Sequence, residues 1–197
     1  AFLKAYLRKC HGIRITVDDV RDFITFPKQE KQAREATEVK DIKDLLTYCE
    51  PTRRALYYVL LTSGMRLSEA LTLKKTNFKI DERPIQVHLR AQDTKTGEAR
   101  DTFISEEAWE RVAPVYERTL DGKYLFHDTT KEKAVRMECV VMNRTRRKIA
   151  KTRGDVEPCE EFPEGTGILK HYENSIRYCI QIHAFRSWFM TQATLRH

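Results

Sequence analysis

The segment TRRALYYVLLTSG at 52–64 constrains the fold more than any other part of the chain. It is nearly continuous in apolar residues, and a helix that is apolar around most of its circumference has to be surrounded by other elements. Pro51 and Thr52 open it. Gly64 is placed to close it, because glycine takes the left-handed conformation that ends a helix without a Cβ penalty. The rest of the chain must therefore supply packing partners for one central helix.

The partners can be read from periodicity. Residues 37–49 form an amphipathic pattern with Val39, Ile42, Leu45 and Leu46 on one side. A short helix, RLSEALTL, follows Gly64. The period then changes from helical to two: IQVHLRA alternates Ile85, Val87 and Leu89 with polar neighbours, DTKTGE supplies turn residues, and RDTFIS returns as a second strand. Ser105 caps a further helix beginning EEAWERVA, which Pro114 is expected to interrupt, and KYLF is a candidate short strand. Residues 135–153 read as a helix with Val135, Cys139, Met142 and Ile149 on one flank, 154–170 as a loop, and 174–196 as a last helix. Ahead of all this, 1–10 suggests a short helix. Thr16 reads as the N-cap of a second, with Asp18 and Asp19 in its first turn and Pro27 at its end. The expected fold class is mainly α with a small antiparallel β-sheet. A polar linker at 27–37 separates residues 1–26 from a main domain at 38–197.

Charge narrows the partners. The chain of 197 residues carries 36 Lys and Arg against 29 Asp and Glu, a net +7, and a pI near 9.2. That balance suits a polyanion, without separating DNA from RNA or an acidic membrane surface. The five cysteines include no CxxC pair, which fits reduced thiols in an intracellular protein better than a disulfide framework. The grouping of Cys159, His171 and Cys179 matches no zinc-ligand spacing. No apolar run is long enough for a membrane span and nothing resembles a signal peptide, so no membrane partner is expected.

Four pieces carry chemistry. In Thr62-Ser63-Gly64-Met65-Arg66-Leu67-Ser68-Glu69 an apolar helix ends on glycine and an arginine follows at once beside a helix start, which can aim a guanidinium into a cleft. Lys95 sits at the tip of the hairpin, where it is either solvated or able to reach a phosphate. In His183-Ala184-Phe185-Arg186 the helical angle puts His183 and Arg186 on one face with Ser187, Met190 and Thr194. Ala184, Phe185, Trp188, Phe189 and Leu195 lie opposite. Finally, NRTRRKIAKTR holds Arg144, Arg146, Arg147, Lys148, Lys151 and Arg153 with no acid between them, a pattern that favours contact with a DNA backbone over a merely solvated face.

Taken in order, a buried helix ending in TSGMRLSEAL, a hairpin with a Lys in DTKTGEAR, and HAFR opening a late helix resemble the catalytic domain of the tyrosine recombinases over roughly 37–197. In style the sequence is nearer to archaeal or archaeal-virus integrases than to the phage or bacterial Xer type, with integration of a viral genome as the expected setting. The resemblance implies that Arg66 and Arg186 clamp the scissile phosphate and that Lys95 protonates the leaving 5′ oxygen. It implies that His183 assists by hydrogen bonding or proton transfer and that Glu69 supports Arg66. It also implies double-stranded DNA as substrate, a homo-oligomer (a tetramer) on that DNA, and no metal or other cofactor. Residues 1–26 then read as the tail of a DNA-clamping helical domain. Two departures stand out. Ser187 occupies the place where the family often has His, and none of the eleven residues after Arg186 is Tyr. Tyr172 and Tyr178 precede the His–Arg helix, so the chain reads as a fragment cut before its nucleophile. A type IB topoisomerase shares these residues and this chemistry. A non-catalytic DNA-binding module of the same fold is the alternative of a different class. RNA binding would call for stacking aromatics on the hairpin, which has only Phe103.

Overall fold

The computed structural model describes residues 2–16, 19, 37–172 and 177–195, and divides the chain into two units, 1–34 and 35–197. In the first unit, helix α1 runs Phe2–His11. Thr16 and Asp19 are tied reciprocally: the Thr16 hydroxyl accepts from the Asp19 N–H at 3.1 Å, while the Asp19 carboxylate accepts from both the Thr16 N–H and its hydroxyl at 2.7 Å. The expected continuation of that helix to Phe26, its stop at Pro27 and nearly all of the linker lie outside the described residues.

The second unit is built around the apolar segment. Helix α3 (Pro51–Ser63) buries Ala55, Leu56, Tyr57, Val59 and Leu60 and ends at Gly64, whose φ of 61° is left-handed and whose N–H donates to the Leu60 carbonyl. It packs against α5 (Glu106–Arg118), α7 (His183–Leu195) and the sheet. The Tyr57 and Phe185 rings meet 4.9 Å apart between α3 and α7. Helix α2 (Val39–Tyr48) leads into α3 through a turn held by Arg54, whose guanidinium donates to the carbonyls of Leu46, Thr47 and Cys49. These are carbonyls a helix C-terminus leaves without partners. Ile42 and Leu45 of α2 are buried as expected, but Val39 is exposed, because it is the first residue of α2 and core contact begins a turn later.

The sheet has three antiparallel strands in the order β1 (Phe78–Lys79), β2 (Ile85–Leu89), β3 (Arg100–Ile104). The expected hairpin is β2–β3, with Ile85 opposite Ile104 and Leu89 opposite Arg100. Strand β1 was not expected, since two residues show no period. KYLF forms no strand: Tyr124 makes one isolated bridge to Lys74, and the Leu125 N–H donates to the Leu73 carbonyl. Ser105 does cap α5, accepting from the Ala108 N–H at 3.2 Å. Pro114 does not interrupt that helix; it lies on the exposed face, as does Glu110 one turn earlier, where a carbonyl without its usual donor can face water.

Helix α6 (Lys131–Arg153) starts on Thr130 and stops on Gly154, with φ 81°. Its inward stripe is Ala134, Glu138, Met142, Thr145, Arg146, Ile149 and Ala150. Cys139 falls at the edge of that stripe and is exposed rather than buried. The last helix begins at His183, not at 174. Just before it the chain is paired back on itself by a bridge between His171 and Tyr178. No helix among the described residues is long and apolar enough to cross a membrane.

Candidate active site

The site grows from the turn after α3. The left-handed Gly64 reverses the chain so that Arg66 becomes the first residue ahead of α4 (Leu67–Ala70). Glu69, three residues on, returns to that start: its carboxylate accepts from the Arg66 N–H at 2.8 Å and from the Arg66 guanidinium at 3.0 Å. Glu69 is fully buried. It also accepts from Arg100 on β3, at 2.6 Å. Burial alone would push the Glu69 carboxyl up. The hydrogen bonds from Arg66 and the nearby Arg100 charge outweigh it and hold the group below the ordinary carboxylate value. Glu69 is therefore an ionised bridge between two arginines.

Arg186 reaches the same turn from α7. Its guanidinium donates to the Gly64 carbonyl at 2.7 Å. Partial burial, followed by repulsion from Arg66 and Arg100, lowers its proton affinity, with Glu69 opposing. Two guanidiniums thus hold one carboxylate and a third reaches the same turn through a carbonyl, an excess of two positive charges. Thr102 on β3 adds a further tie, donating to the Ser63 carbonyl at 3.0 Å.

An open cavity of about 550 Å³ adjoins this cluster. Arg66, Lys95, His183 and Arg146 line it together with apolar side chains such as Val135 and Ile182. Lys95 comes from the loop between β2 and β3. That loop is stapled by Thr94, whose hydroxyl lies 3.0 Å from the Ala91 carbonyl and 2.9 Å from that of Glu98. His183 is the first residue of α7 and is exposed, on the face with Arg186 and away from the buried Phe185. The sequence-derived residues Arg66, Lys95 and His183 therefore share one cavity, and Arg186 joins Arg66 through the turn.

Arg100 was missed. The signal was present in the strand period: Arg100 shares the inward face of β3 with Thr102 and Ile104, and a cation on a core-facing position needs an acid.

The basic helix divides. Arg144, Arg147, Lys148 and Lys151 are exposed and form a stripe along α6. Arg153 is not on it. Its guanidinium pairs with Asp41 and Asp44 of α2, both at 2.5 Å, so α6 is clamped to α2 and the side chain is turned away from solvent. Burial lowers the proton affinity of Arg153, but the bonds to the two aspartates override that and hold it above its ordinary value. Arg146 is also inside, 3% exposed, stacked over the Tyr178 ring at 4.3 Å and facing the cavity. The exposed positive charge of this run is thus carried by the other four residues. Tyr172 and Tyr178 have partners of their own: the Tyr172 hydroxyl donates to the Cys179 carbonyl at 3.1 Å and that of Tyr178 to the Glu157 carboxylate at 3.2 Å. Among the described residues no group of His, Cys, Asp and Glu is arranged to hold a metal ion.

Comparison with solved structures finds the same fold. XerA recombinase aligns with a TM-score of 0.57 at 17% identity, covering 98% of this chain and 59% of that one. A Tn1549 transposon integrase in complex with circular intermediate DNA aligns at 0.55 and 16%, covering 92% and 57%. The same integrase with transposon right end DNA aligns at 0.55 and 17%, covering 98% and 64%. The chain thus spans about three-fifths of the length of the structures it resembles. No curated protein sequence matches it. The profile of the phage integrase family matches residues 35–163, a stretch that holds the α3 turn, the hairpin and the basic helix. On that match and this fold, the chain belongs to the phage integrase family, the tyrosine recombinases.

Proposed function

We propose that the chain is the phosphate-holding part of a site-specific recombinase, an integrase that cleaves and rejoins double-stranded DNA through a 3′-phosphotyrosyl intermediate. The observation that carries this reading is the placement of Arg66 and Arg186 on one turn, with a buried Glu69 bridging Arg66 to Arg100, beside a cavity lined by Arg66, Lys95 and His183. In this reading the two guanidiniums take the non-bridging oxygens of the scissile phosphate and stabilise the charge that grows in the pentavalent transition state. Lys95 on its stapled loop protonates the leaving 5′ oxygen, and His183 assists from the start of α7. Glu69 holds Arg66 in place. A tyrosine supplies the nucleophile. Residues 1–26 belong to a DNA-clamping helical domain joined by the 27–37 linker, and the working unit is a homo-tetramer on DNA. The exposed stripe Arg144, Arg147, Lys148 and Lys151 follows the DNA backbone. The style of the sequence supports integration of a mobile or viral genome, of archaeal type, as the setting.

The test uses the whole protein and a nicked suicide duplex whose cleaved end diffuses away. A covalent protein–DNA adduct should form without divalent metal, and Arg186→Ala should slow its formation about 10²–10³-fold, the usual loss when one transition-state donor is removed. Lys95→Ala should spare a substrate with a 5′-thiol leaving group, which needs no protonation, while slowing normal DNA. A strict requirement for a divalent cation would overturn the reading.

A further inference from the structure

Arg146 is the one member of the basic run that faces the cavity from a buried position, and its surroundings are unusual for a buried cation. It is 3% exposed. A guanidinium taken out of water is normally matched by a carboxylate, because the desolvation cost is otherwise uncompensated. Arg146 has none within ion-pair distance among the described residues. It donates one bond, to the Asn143 side-chain carbonyl at 2.5 Å, and its Nε–H has no acceptor. Beneath it lies the Tyr178 ring. The acid whose charge acts on it, Glu157, is engaged by the Tyr178 hydroxyl and by Arg147. Burial pushes the Arg146 guanidinium down to about 10, with the neighbouring phenols and Glu157 opposing, so it stays protonated at neutral pH.

The cavity it faces is the one lined by Arg66, Lys95 and His183. Arg186 donates to the Gly64 carbonyl and is not among the side chains that line this cavity, whereas Arg146 is. Apolar side chains, Val135, Met142 and Ile182, also line this cavity. A small dianion would find nothing to match such a wall, whereas a phosphodiester brings a deoxyribose whose carbon face does.

We propose that Arg146 forms a second phosphate subsite inside this cavity, taking a backbone phosphodiester of the bound DNA strand other than the one held by Arg66 and Arg186. The guanidinium is the donor, Tyr178 and Asn143 fix its plane, and the apolar side chains carry the sugar. This deepens the proposed function and rests on its DNA substrate.

The experiment follows the arginine Nε–Hε resonances of the chain by NMR while a short duplex of arbitrary sequence, or inorganic phosphate, is added. The Arg146 guanidinium carbon lies over the Tyr178 ring, so its Nε–Hε signal is identified by a ring-current shift that Tyr178→Leu removes. Saturation with duplex should move the Arg146 and Arg66 signals downfield together. Arg66→Ala should abolish the response at its own position and leave that of Arg146, and Arg146→Met the reverse, with Arg146→Lys restoring most of the duplex affinity that Arg146→Met loses. Inorganic phosphate should move Arg146 far less than duplex does. Movement of Arg66 with a static Arg146 overturns the subsite alone. Responses that vanish together in either variant show one shared phosphate and overturn the second site. A stronger response to inorganic phosphate than to duplex denies DNA as the source. No duplex binding even at low salt overturns the proposed function itself.

Discussion

Glu69→Gln isolates the electrostatic centre of the site, because it changes charge while keeping shape. The carboxylate accepts three hydrogen bonds: from the Arg66 N–H and Arg100 on one oxygen, and from the Arg66 guanidinium on the other. An amide has one acceptor oxygen. Its better orientation keeps that oxygen where two donors converge and sets its NH₂ against the Arg66 guanidinium, so that contact is lost outright. A hydrogen bond to a charged group contributes about 1.5–3 kcal/mol, and each of the two retained bonds falls to the neutral range of about 0.5–1.5 kcal/mol. The Arg66 and Arg100 side chains are about a third exposed and regain some hydration, which brings the net loss to about 2–4 kcal/mol. For a domain of this size that lowers the melting temperature by roughly 4–15 °C. The pH dependence has a fixed sign. The folded-state Glu69 lies below its ordinary value of 4.5, so its contribution is complete above that value and is lost as pH falls through the folded value. Urea unfolding of both proteins should show the full gap at neutral pH and a closing gap in acid. A gap that persists unchanged in acid, or no gap at neutral pH, would refute the ionised bridge.

Three further outcomes follow from the packing. Arg153→Ala should cost about 2–3 kcal/mol by stranding Asp41 and Asp44, seen as a lower urea midpoint, while leaving the salt dependence of duplex binding unchanged. Alanine at Arg144, Arg147, Lys148 and Lys151 should do the opposite, each lowering the slope of log K against log salt by roughly 0.9 with little change in melting. Gly64→Ala should destabilise by about 2–5 kcal/mol in thermal melts. The residue is left-handed, and a Cβ there would overlap the Phe189 ring. A variant that melts with the parent would show that the turn relaxes.

The sequence made some of this legible and hid the rest for identifiable reasons. The central helix, its glycine stop and the β2–β3 hairpin follow from local pattern, and so does the His183–Arg186 face. Strand β1 escapes because two residues carry no period. The start of α7 escapes because residues 178–182 are compatible with helix and only pairing with His171 takes them elsewhere. In the basic run, helical geometry alone could have separated Arg146 and Arg153 from the other four, which fall at spacings of three and four along one face. Which set faces inward depends on where the partners Asp41, Asp44 and Tyr178 stand in space, and they are distant in sequence. Arg100 needed only its strand period and the recognition that Glu69 is buried.

The turn at 63–66 also bears on how such a site can change over time. Thr102 and Arg186 attach to it through the carbonyls of Ser63 and Gly64. A carbonyl is the same whatever side chain its residue carries, so neither attachment asks for a matching partner, only for the bend itself. Positions 64 and 186 should therefore show little pairwise covariation among relatives, although they touch. Glu69 and Arg100, which meet through side chains, should change together.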